Sequence, residues 1–249
     1  MSDELRNAPG TLDIPDVLYR GFEDRFRGSI DEVRAKQRVH VPVFAGASDV
    51  VDIGCGRGEF LALLKDARVS ARGVDANREM IAEARARGLD AVESDALEYL
   101  KSLPDASLGG VMASQVVEHL RPSHVVELIS LAFDKLRPGA PIVLETINPA
   151  CWLAFFSSYL RDFTHVWPVH PETLQYLMQA AGFSRVEIKY TEQAPDAVRM
   201  RGVDPGSFVG VDAATSRSLK ALADAHNANA SILNSLLFTY MDYSAIGYR

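Results

Sequence analysis

A regular alternation of short apolar runs with helical stretches, which begins at Asp49, constrains the fold more than any other feature. Runs rich in Val and Ile predict strands, and the stretches between them have the spacing of amphipathic helices. Six strands are predicted in this way, at residues 50–53, 71–75, 89–93, 110–114, 141–146 and 184–190. Because right-handed crossovers place helices on both faces of a parallel sheet, the alternation predicts an α/β fold.

The chain before this alternation is predicted to be helical. Ser29 and Glu32 stand three residues apart and fit a capping box, so a helix is predicted from there to about Pro42. Residues 1–44 are therefore expected to form an N-terminal helical cap with a frayed first dozen residues. Residues 45–249 are expected to form a single α/β domain.

Two long insertions, residues 147–170 and 191–235, interrupt the alternation. Both leave from the predicted carboxyl ends of strands, and in an open α/β sheet that edge carries the ligand crevice. We therefore expect the insertions to form walls or lids over a site. Residues 236–248, after the second insertion, predict one more strand.

Composition and charge argue against several classes of protein. Lys and Arg number 26 against 33 Asp and Glu, and the resulting net charge of −7 argues against a long nucleic-acid footprint. No run approaches the roughly 18 apolar residues of a membrane span. The first 20 residues lack the apolar block of a signal peptide. Two cysteines cannot build a disulfide framework, so a cytoplasmic location is expected.

A glycine loop follows the first predicted strand and reads Asp52-Ile53-Gly54-Cys55-Gly56-Arg57-Gly58. Glycine is needed where the backbone approaches a ligand closely or takes a positive φ. The Asp52 carboxylate can meet a cationic amine, and Asp75, about 20 residues on, can hold ribose hydroxyls. A ligand-free turn and a dinucleotide site are the alternatives. The dinucleotide fingerprint is disfavoured because the third glycine comes one residue early.

Five successive segments carry a resemblance to a known family. They read VVDIGCGRGEF, GVDANREMI, ESDALEYL, GGVMASQVVEHL and LRPGAPIVLE, and they span about residues 49–145. In this order and spacing they resemble the motifs of class I S-adenosylmethionine-dependent methyltransferases. The resemblance implies S-adenosylmethionine as the cofactor. It also implies a Rossmann-like, seven-stranded, mostly parallel sheet whose last strand is antiparallel, which fits the strand predicted at 236–248.

The same resemblance implies ten cofactor-binding residues, all at or just beyond the predicted carboxyl ends of the first four strands. They are Asp52, Gly54, Cys55 and Gly56 around the methionine tail, Asp75 and Ala76 at the ribose, Asp95 and Ala96 at the adenine, and Ser114 and Gln115 below the sulfonium.

The second half of the chain narrows the resemblance. ETINPACW, SYLRDFTHVWPVHPETLQYLMQAAGF and SLLFTYMDYSAIGYR are similar to methyltransferases that modify or terminate bacterial surface polysaccharides, such as the O-antigen chain-terminating type. The chain departs from that pattern at Ile147 and Phe163, where proline is usual. Both positions belong to the expected acceptor wall, so the departures affect the expected substrate more than the fold.

Histidines at the expected sheet edge are the candidates for handling an acceptor. A hydroxyl acceptor needs a base that takes its proton, whereas a carboxylate or phosphate needs only cationic groups to place it. His165 and His119 are the base candidates, in that order, and Asp162 could orient His165. A loop histidine that is satisfied by a backbone partner is the alternative for each.

A metal site is not expected from the sequence. Gln115-x-x-Glu118-His119 resembles the Glu-x-x-Glu-His pattern of some small-RNA and quinone-pathway O-methyltransferases, in which a hard cation sits. Gln115 removes the first carboxylate of that pattern, and Mg²⁺ prefers carboxylates.

The sequence as a whole predicts an S-adenosylmethionine-dependent methyltransferase that acts on an oxygen of a small-molecule or saccharide-type acceptor. Two alternatives stay open: a catalytically silent binding subunit with the same fold, and a methyltransferase that acts on RNA or protein. The expected partners are the acceptor and, as a further option, glycan-assembly enzymes, with neither nucleic acid nor a membrane span.

Overall fold

A computed structural model describes residues 16–249, and one seven-stranded sheet runs through them. In chain order the strands are β1 (Val50–Ile53), β2 (Ala71–Asp75), β3 (Ala91–Glu93), β4 (Gly110–Ser114), β5 (Pro141–Ile147), β6 (Ser184–Gln193) and β7 (Tyr240–Tyr248). Their order across the sheet is β3-β2-β1-β4-β5-β7-β6.

The first five strands are parallel, and only β7 runs against its neighbours. Strand β7 inserts between β5 and β6 and pairs antiparallel with both. The predicted seven-stranded sheet with an antiparallel last strand is thus confirmed. The order reverses between β1 and β4, so the carboxyl ends of these two strands mark the switch point at which open α/β sheets bind ligands.

Nine α-helical segments lie among the described residues. They are α1 (Asp16–Phe26), α2 (Ile30–Gln37), α3 (Glu59–Asp66), α4 (Arg78–Ala86), α5 (Ala96–Ser102), α6 (Pro122–Lys135), α7 (Trp152–Ala154), α8 (Pro171–Ala180) and α9 (Ala213–Leu237). A π-helical turn, Phe155–Tyr159, continues α7, and a 3₁₀ helix, Arg38–Phe44, continues α2. None of these helices is both long and apolar enough to cross a membrane.

Alternating side chains of the strands bury against two separate layers. On β1, Val51 packs with side chains of α5, α6 and α8, whereas Val50 packs with side chains of α3 and of the 38–44 helix. This is the period-2 alternation of a sheet that is covered on both faces. Helices therefore flank the sheet on both sides, as the sequence predicts.

The segment that precedes β1 contains α1, α2 and the 38–44 helix, and side chains of α1 and α2 line a cavity beside the sheet. The predicted capping box is present, with the Ser29 hydroxyl accepting from the Glu32 N–H and the Glu32 carboxylate accepting from the Ser29 N–H. The α-helix ends at Gln37 rather than near Pro42, because proline has no N–H to continue the helix and its ring crowds the preceding turn. The first 15 residues of the expected cap and its frayed start lie outside the described residues.

Several elements differ from the sequence-based predictions, since β3 begins at Ala91 rather than at residue 89 and β6 continues to Gln193 rather than ending at residue 190. Helix α5 was not predicted, although Asp95 caps it by accepting from the N–H groups of Leu97 and Glu98. Helix α9 continues to Leu237, so β7 begins only at Tyr240 instead of at residue 236. Short polar helices and helix ends carry weak periodic signals, which explains these differences.

Tyr243 ties β7 to the chain beside the candidate site. Its ring is fully buried, and its hydroxyl donates to the Val169 carbonyl at 2.8 Å. Tyr243→Phe should lower the free energy of unfolding by about 1–3 kcal/mol, because the carbonyl loses its partner inside the protein. Urea denaturation measures this change. Tyr176→Phe on the exposed face of α8 is the matched control and should leave stability unchanged.

Candidate active site

The glycine loop between β1 and α3 adopts a backbone that only glycine takes without strain. Gly54, Gly56 and Gly58 have φ values of 65°, 52° and 81°. A Cβ on Gly54 would lie 2.4 Å from Val116 Cγ2, so the turn has no room for a side chain. The loop therefore presents bare main chain at the switch point of the sheet.

Asp75 at the end of β2 fixes the shape of this loop. Its carboxylate accepts from the Gly56 N–H at 2.9 Å and from the Asn77 N–H at 2.8 Å. The two oxygens thus bridge the glycine loop and the cap of α4. A ligand that lies on the loop would meet the same carboxylate.

Asp52 at the end of β1 is a buried acid in an acidic surrounding. Burial raises the pKa of its carboxyl well above the usual range, and the charges of Glu59 and Asp75 raise it further. The Arg27 guanidinium opposes this rise. A cationic group bound nearby would stabilise the charged form of Asp52.

Cys55 takes part in the loop only through its main chain. Its side chain packs with Leu61, Ile81 and Ala84, in the core under α3 and α4. Its N–H, like that of Gly54, donates to the Val74 carbonyl. The expected lining of the methionine tail by Cys55 is thus limited to backbone atoms.

Because both cysteines are buried, we expect their thiols to be unreactive in the folded protein. Cys55 and Cys151 are at most 4 % exposed, and burial raises the pKa of the Cys55 thiol. The thiolate is the reactive form, so neither cysteine should react with a disulfide reagent within minutes at pH 8 in the folded protein. Both should react once urea unfolds the chain. Ser102→Cys, on an exposed face of α5, should add one fast-reacting thiol to the folded protein.

The remaining expected cofactor residues lie at neighbouring strand ends. Asp95 is exposed, and its Oδ1 already caps α5, while Ala76 and Ala96 flank the ends of β2 and β3. Ser114 is buried at the end of β4. Gln115 follows it with a φ of 58°, an unusual conformation for a residue other than glycine. The structure therefore places all ten residues along one edge of the sheet.

A cavity opens beside this edge, under the N-terminal helices and the first insertion. Its walls come from α1, α2, β4, β5, β7 and the segment 158–165. The polar and charged side chains that line it are Arg27, Lys36, Gln37, Ser114, Gln115, His119, Glu145, Ser158, Arg161, Asp162, His165 and Asp242. All three expected catalytic residues, His165, His119 and Asp162, line this cavity.

A hydrogen-bonded chain orients His119. The Thr164 hydroxyl donates to Asp162 Oδ1 at 2.6 Å and lies 2.8 Å from His119 Nδ1. Because the single hydroxyl proton goes to the carboxylate, Thr164 accepts from the His119 Nδ1–H. The lone pair of the imidazole is therefore on Nε2. Burial, with help from the neighbouring His165, lowers the pKa of His119 to about 4, so this ring is uncharged at pH 7.

His165 is fixed in the same tautomer by a different partner. Its Nδ1 lies 2.7 Å from the Tyr159 carbonyl oxygen, which can only accept, so Nδ1 carries the proton. Its Nε2 is 3.8 Å from Asp162 Oδ2, and burial lowers the pKa of the ring. Asp162 thus contacts His165 and also supports His119 through Thr164. Sequence reasoning expected only the first of these two contacts.

Glu118 is a fully buried carboxyl beside both imidazoles. Neither of its carboxylate oxygens has a hydrogen-bond partner in the described part of the chain. Burial raises its pKa to about 7, and its own main chain, the nearby Thr146 hydroxyl and the Arg27 guanidinium offset part of that rise. The Thr146 hydroxyl is close to the carboxyl without being aligned for a hydrogen bond to either oxygen. Glu118, His119 and His165 each offer one potential metal-ligand atom, and these three atoms lie within 4.8 Å of one another.

The site also contains Arg27, which was not among the predicted site residues, and Thr164, whose contact with His119 was not predicted. Thr164 links Asp162 to His119, and the three residues come from segments 45 positions apart. Arg27 lines the cavity, and a Cβ on Gly56 would lie 3.3 Å from its guanidinium, so it also covers the glycine loop. No local sequence signal marks either role, since both depend on how the insertion and the N-terminal helices fold back.

Comparison with known proteins decides the family. A family model described as a methyltransferase domain matches residues 24–188. The chain belongs to this methyltransferase family. The match includes the glycine loop and Asp75, which lie along the carboxyl edge of the sheet, and His119 and His165, which line the cavity.

A solved structure and two curated proteins illustrate the relationship. A SAM-dependent methyltransferase from Archaeoglobus fulgidus is 39 % identical, with a TM-score of 0.81 over 93 % of this chain and 99 % of that one. A probable S-adenosylmethionine-dependent methyltransferase of Mycolicibacterium smegmatis is 31 % identical over 54 % of this chain and 51 % of its own length. Trans-aconitate 2-methyltransferase of Mycobacterium tuberculosis strain H37Ra is 34 % identical over 40 % and 37 %. The chain thus spans about half or less of these curated relatives.

The glycine loop, with Asp52 and Asp75 at the neighbouring strand ends, fits S-adenosylmethionine, the cofactor of this methyltransferase family. The positive φ values and the absence of a Cβ at Gly54 and Gly56 suit a loop that a ligand's amino-acid tail approaches closely. Asp52 is a buried acid whose charged form a ligand ammonium would stabilise. Asp75 ends the neighbouring strand, about 20 residues later in the chain, which is the usual place of an acidic residue that holds ribose hydroxyls. Membership of the methyltransferase family is shown, whereas nothing in the comparisons supports the polysaccharide subtype.

Proposed function

We propose that this methyltransferase transfers a methyl group to a hydroxyl oxygen of a small polar or saccharide-type acceptor that binds in the cavity. The observation that carries the proposal is the pair of uncharged imidazoles, His119 and His165, whose lone pairs are on Nε2. A neutral imidazole at the mouth of a methyl-donor pocket can take the proton that a hydroxyl must lose. S-adenosylmethionine supplies the methyl group on its sulfonium.

His165 is the preferred proton acceptor and His119 the second. His165 lies on the insertion that covers the cavity, and Asp162 Oδ2, 3.8 Å from its Nε2, would stabilise the imidazolium that forms. His119 is more deeply buried, which makes protonation there more costly. Asp162 thereby has two roles: it stabilises the charge on one ring and orients the other through Thr164.

The cofactor roles of the ten residues along the carboxyl edge of the sheet are part of the same proposal. Gly54, Cys55 and Gly56 would contact the methionine tail with their main chain, and Asp52 would face its ammonium group. Asp75 and Ala76 would hold the ribose, Asp95 and Ala96 the adenine, and Ser114 and Gln115 would close the pocket below the sulfonium. The fit of the loop and the positions of the strand ends support these assignments.

A carboxylate acceptor is the second candidate. Arg27, Lys36 and Arg161 all line the cavity, and cationic side chains can position a carboxylate without any base. The M. tuberculosis relative is named for methyl transfer to trans-aconitate, an anionic acceptor. Lys36 already pairs with Glu192 at 2.7 Å, whereas the Arg161 guanidinium lies over the ring of Phe26 on the cavity wall.

Aromatic residues on the first insertion support the saccharide option within the main proposal. Trp152, Phe156 and Trp167 are each at least half exposed, and they lie on the insertion that also supplies Ser158 and His165 to the cavity wall. Exposed aromatic rings provide flat apolar surface against which sugar rings pack. An association with glycan-assembly enzymes belongs to the same proposal. A small-molecule acceptor is preferred over RNA because the chain is acidic overall.

Two measurements on the purified protein test the proposal. Calorimetric titration with S-adenosylmethionine, S-adenosylhomocysteine and NADH should show binding of the first two and none of the third. Formation of S-adenosylhomocysteine is then followed with panels of polyols, nucleotide sugars, glycan fragments and small carboxylic acids. Turnover only with hydroxyl acceptors is the expected result. Turnover only with carboxylic acids would favour the second candidate, and cofactor binding without turnover of any acceptor would favour a silent binding subunit.

A further inference from the structure

Glu118, His119 and His165 form a three-residue cluster that the proton-transfer role explains only in part. We propose that these three side chains bind a divalent transition-metal ion, of the zinc or cobalt type, which in turn holds the acceptor oxygen. The ion site is inferred from the geometry alone, while its role toward the acceptor rests on the proposed function. A metal is not expected from the sequence, because Gln115 stands where the first carboxylate of the Glu-x-x-Glu-His pattern would be.

The carboxylate of Glu118 is the first observation. It is 0 % exposed, and neither oxygen has a hydrogen-bond partner among the residues that the structure describes. A buried carboxyl without partners is costly, and such groups in folded proteins usually have a reason, of which a bound ion is one. A cation at this position would give the carboxylate the partner that it lacks.

The tautomers of the two histidines are the second, independent observation. Thr164 and the Tyr159 carbonyl each accept from an Nδ1–H, so both rings carry their lone pair on Nε2. A metal-binding histidine in proteins commonly donates its other N–H to a carboxylate or a carbonyl, which fixes the tautomer and the ring orientation. His165 has such a carbonyl partner, and His119 reaches the Asp162 carboxylate through one hydroxyl.

Distance and ligand type together select the class of metal. One ligand atom from each side chain lies within 4.8 Å of the other two. Small movements of these side chains would bring all three atoms into contact with one ion. Two imidazole nitrogens and one carboxylate oxygen suit zinc, cobalt or iron better than magnesium, which prefers oxygen ligands. His119 and His165 line the cavity, so the remaining coordination positions would face a bound acceptor.

The ion would change how the acceptor loses its proton. Coordination to a divalent metal lowers the pKa of a hydroxyl, so the acceptor binds as the metal-bound alkoxide and its proton goes to solvent. The alkoxide oxygen then forms the new O–C bond to the methyl carbon. The C–S bond breaks with its electron pair going to sulfur, which yields the methyl ether and S-adenosylhomocysteine.

The test uses Co²⁺ as the probe with the full-length chain purified without a histidine tag. After treatment with a chelator and its removal, Co²⁺ is titrated and followed by calorimetry and by visible absorption. One equivalent should bind, with an intense absorption that hexaaqua Co²⁺ lacks, and Zn²⁺ should displace it. Co²⁺ at about 100 times its Kd should raise the Tm by roughly 5–10 °C.

Three variants locate the ion. Glu118→Gln and His165→Ala should each weaken Co²⁺ binding at least ~100-fold, since even the loss of a residue that supports a metal ligand costs 10- to 100-fold. His124→Ala removes an exposed histidine on α6 and should bind Co²⁺ like the unaltered protein. Affinity for S-adenosylhomocysteine is measured on every variant to show that the fold is retained. If Glu118→Gln does not fold, His165→Ala, which alters a loop residue, decides the question.

The outcomes separate this inference from the proposed function. Absence of stoichiometric Co²⁺ binding in a protein that binds S-adenosylhomocysteine would overturn the metal site and leave the methyltransferase proposal intact. Co²⁺ binding that survives both ligand substitutions would also overturn it, because the ion would then be elsewhere. Stoichiometric binding that depends on Glu118 and His165, in a protein that turns over no acceptor, would support the site and contradict the proposed function.

Discussion

His165→Ala should lower the methyl-transfer rate by about 10²- to 10⁴-fold while leaving the affinity for S-adenosylmethionine nearly unchanged. This is the usual contribution of a positioned acid–base group. His165 lies on the first insertion, whereas the predicted cofactor residues lie at the strand ends, so the variant separates chemistry from cofactor binding. The loss is expected whether the imidazole takes the proton itself or holds an ion that lowers the pKa of the acceptor hydroxyl.

The rate is measured at saturating cofactor and acceptor, with the acceptor that the panel identifies. His124→Ala, which alters an exposed histidine on α6, is the matched control and should retain the full rate. Asp162→Asn should show a smaller loss, because the amide oxygen can still accept from Thr164. A His165→Ala rate equal to that of the unaltered protein would remove His165 from the mechanism and leave His119 as the candidate.

The sheet could be predicted from the sequence because each buried strand leaves a short, local pattern of apolar residues. Strands such as Val50–Ile53 and Gly110–Ser114 are buried on both faces, so they read as short apolar runs bounded by glycine and polar residues. The antiparallel β7 was predicted from the family resemblance. The start of β7 was predicted too early because the apolar end of α9 reads like strand sequence.

The cofactor edge was also predictable in position, since functional side chains follow the carboxyl ends of parallel strands. Asp52, Asp75 and Ser114 all lie where this rule places them. Cys55 shows the limit of the rule. The sequence does not say which way a loop side chain points, and that of Cys55 points into the core.

The chemistry of the cavity depends on contacts between distant segments and was only partly predictable. Glu118 follows β4 and His165 lies in the first insertion, 47 positions later in the chain. Whether they meet is decided by how the 147–170 segment folds back over the sheet edge. The missing hydrogen-bond partners of Glu118 and the tautomers of both histidines are properties of that packing alone.

Asp75→Ala should weaken the binding of S-adenosylhomocysteine by about 10- to 150-fold, measured by calorimetry. Hydrogen bonds to a charged group contribute about 1.5–3 kcal/mol each, and the lost carboxylate would also release the N–H groups of Gly56 and Asn77 that it now holds. Asp90→Ala, which removes an exposed carboxylate paired with Arg72, is the matched control and should leave the affinity unchanged. Asp75→Asn should fall between the two, because the amide oxygen keeps one acceptor while the charge is lost. Unchanged affinity in Asp75→Ala would mean that the cofactor does not lie on the glycine loop, and the assignments of Asp52, Gly54 and Gly56 would fail with it.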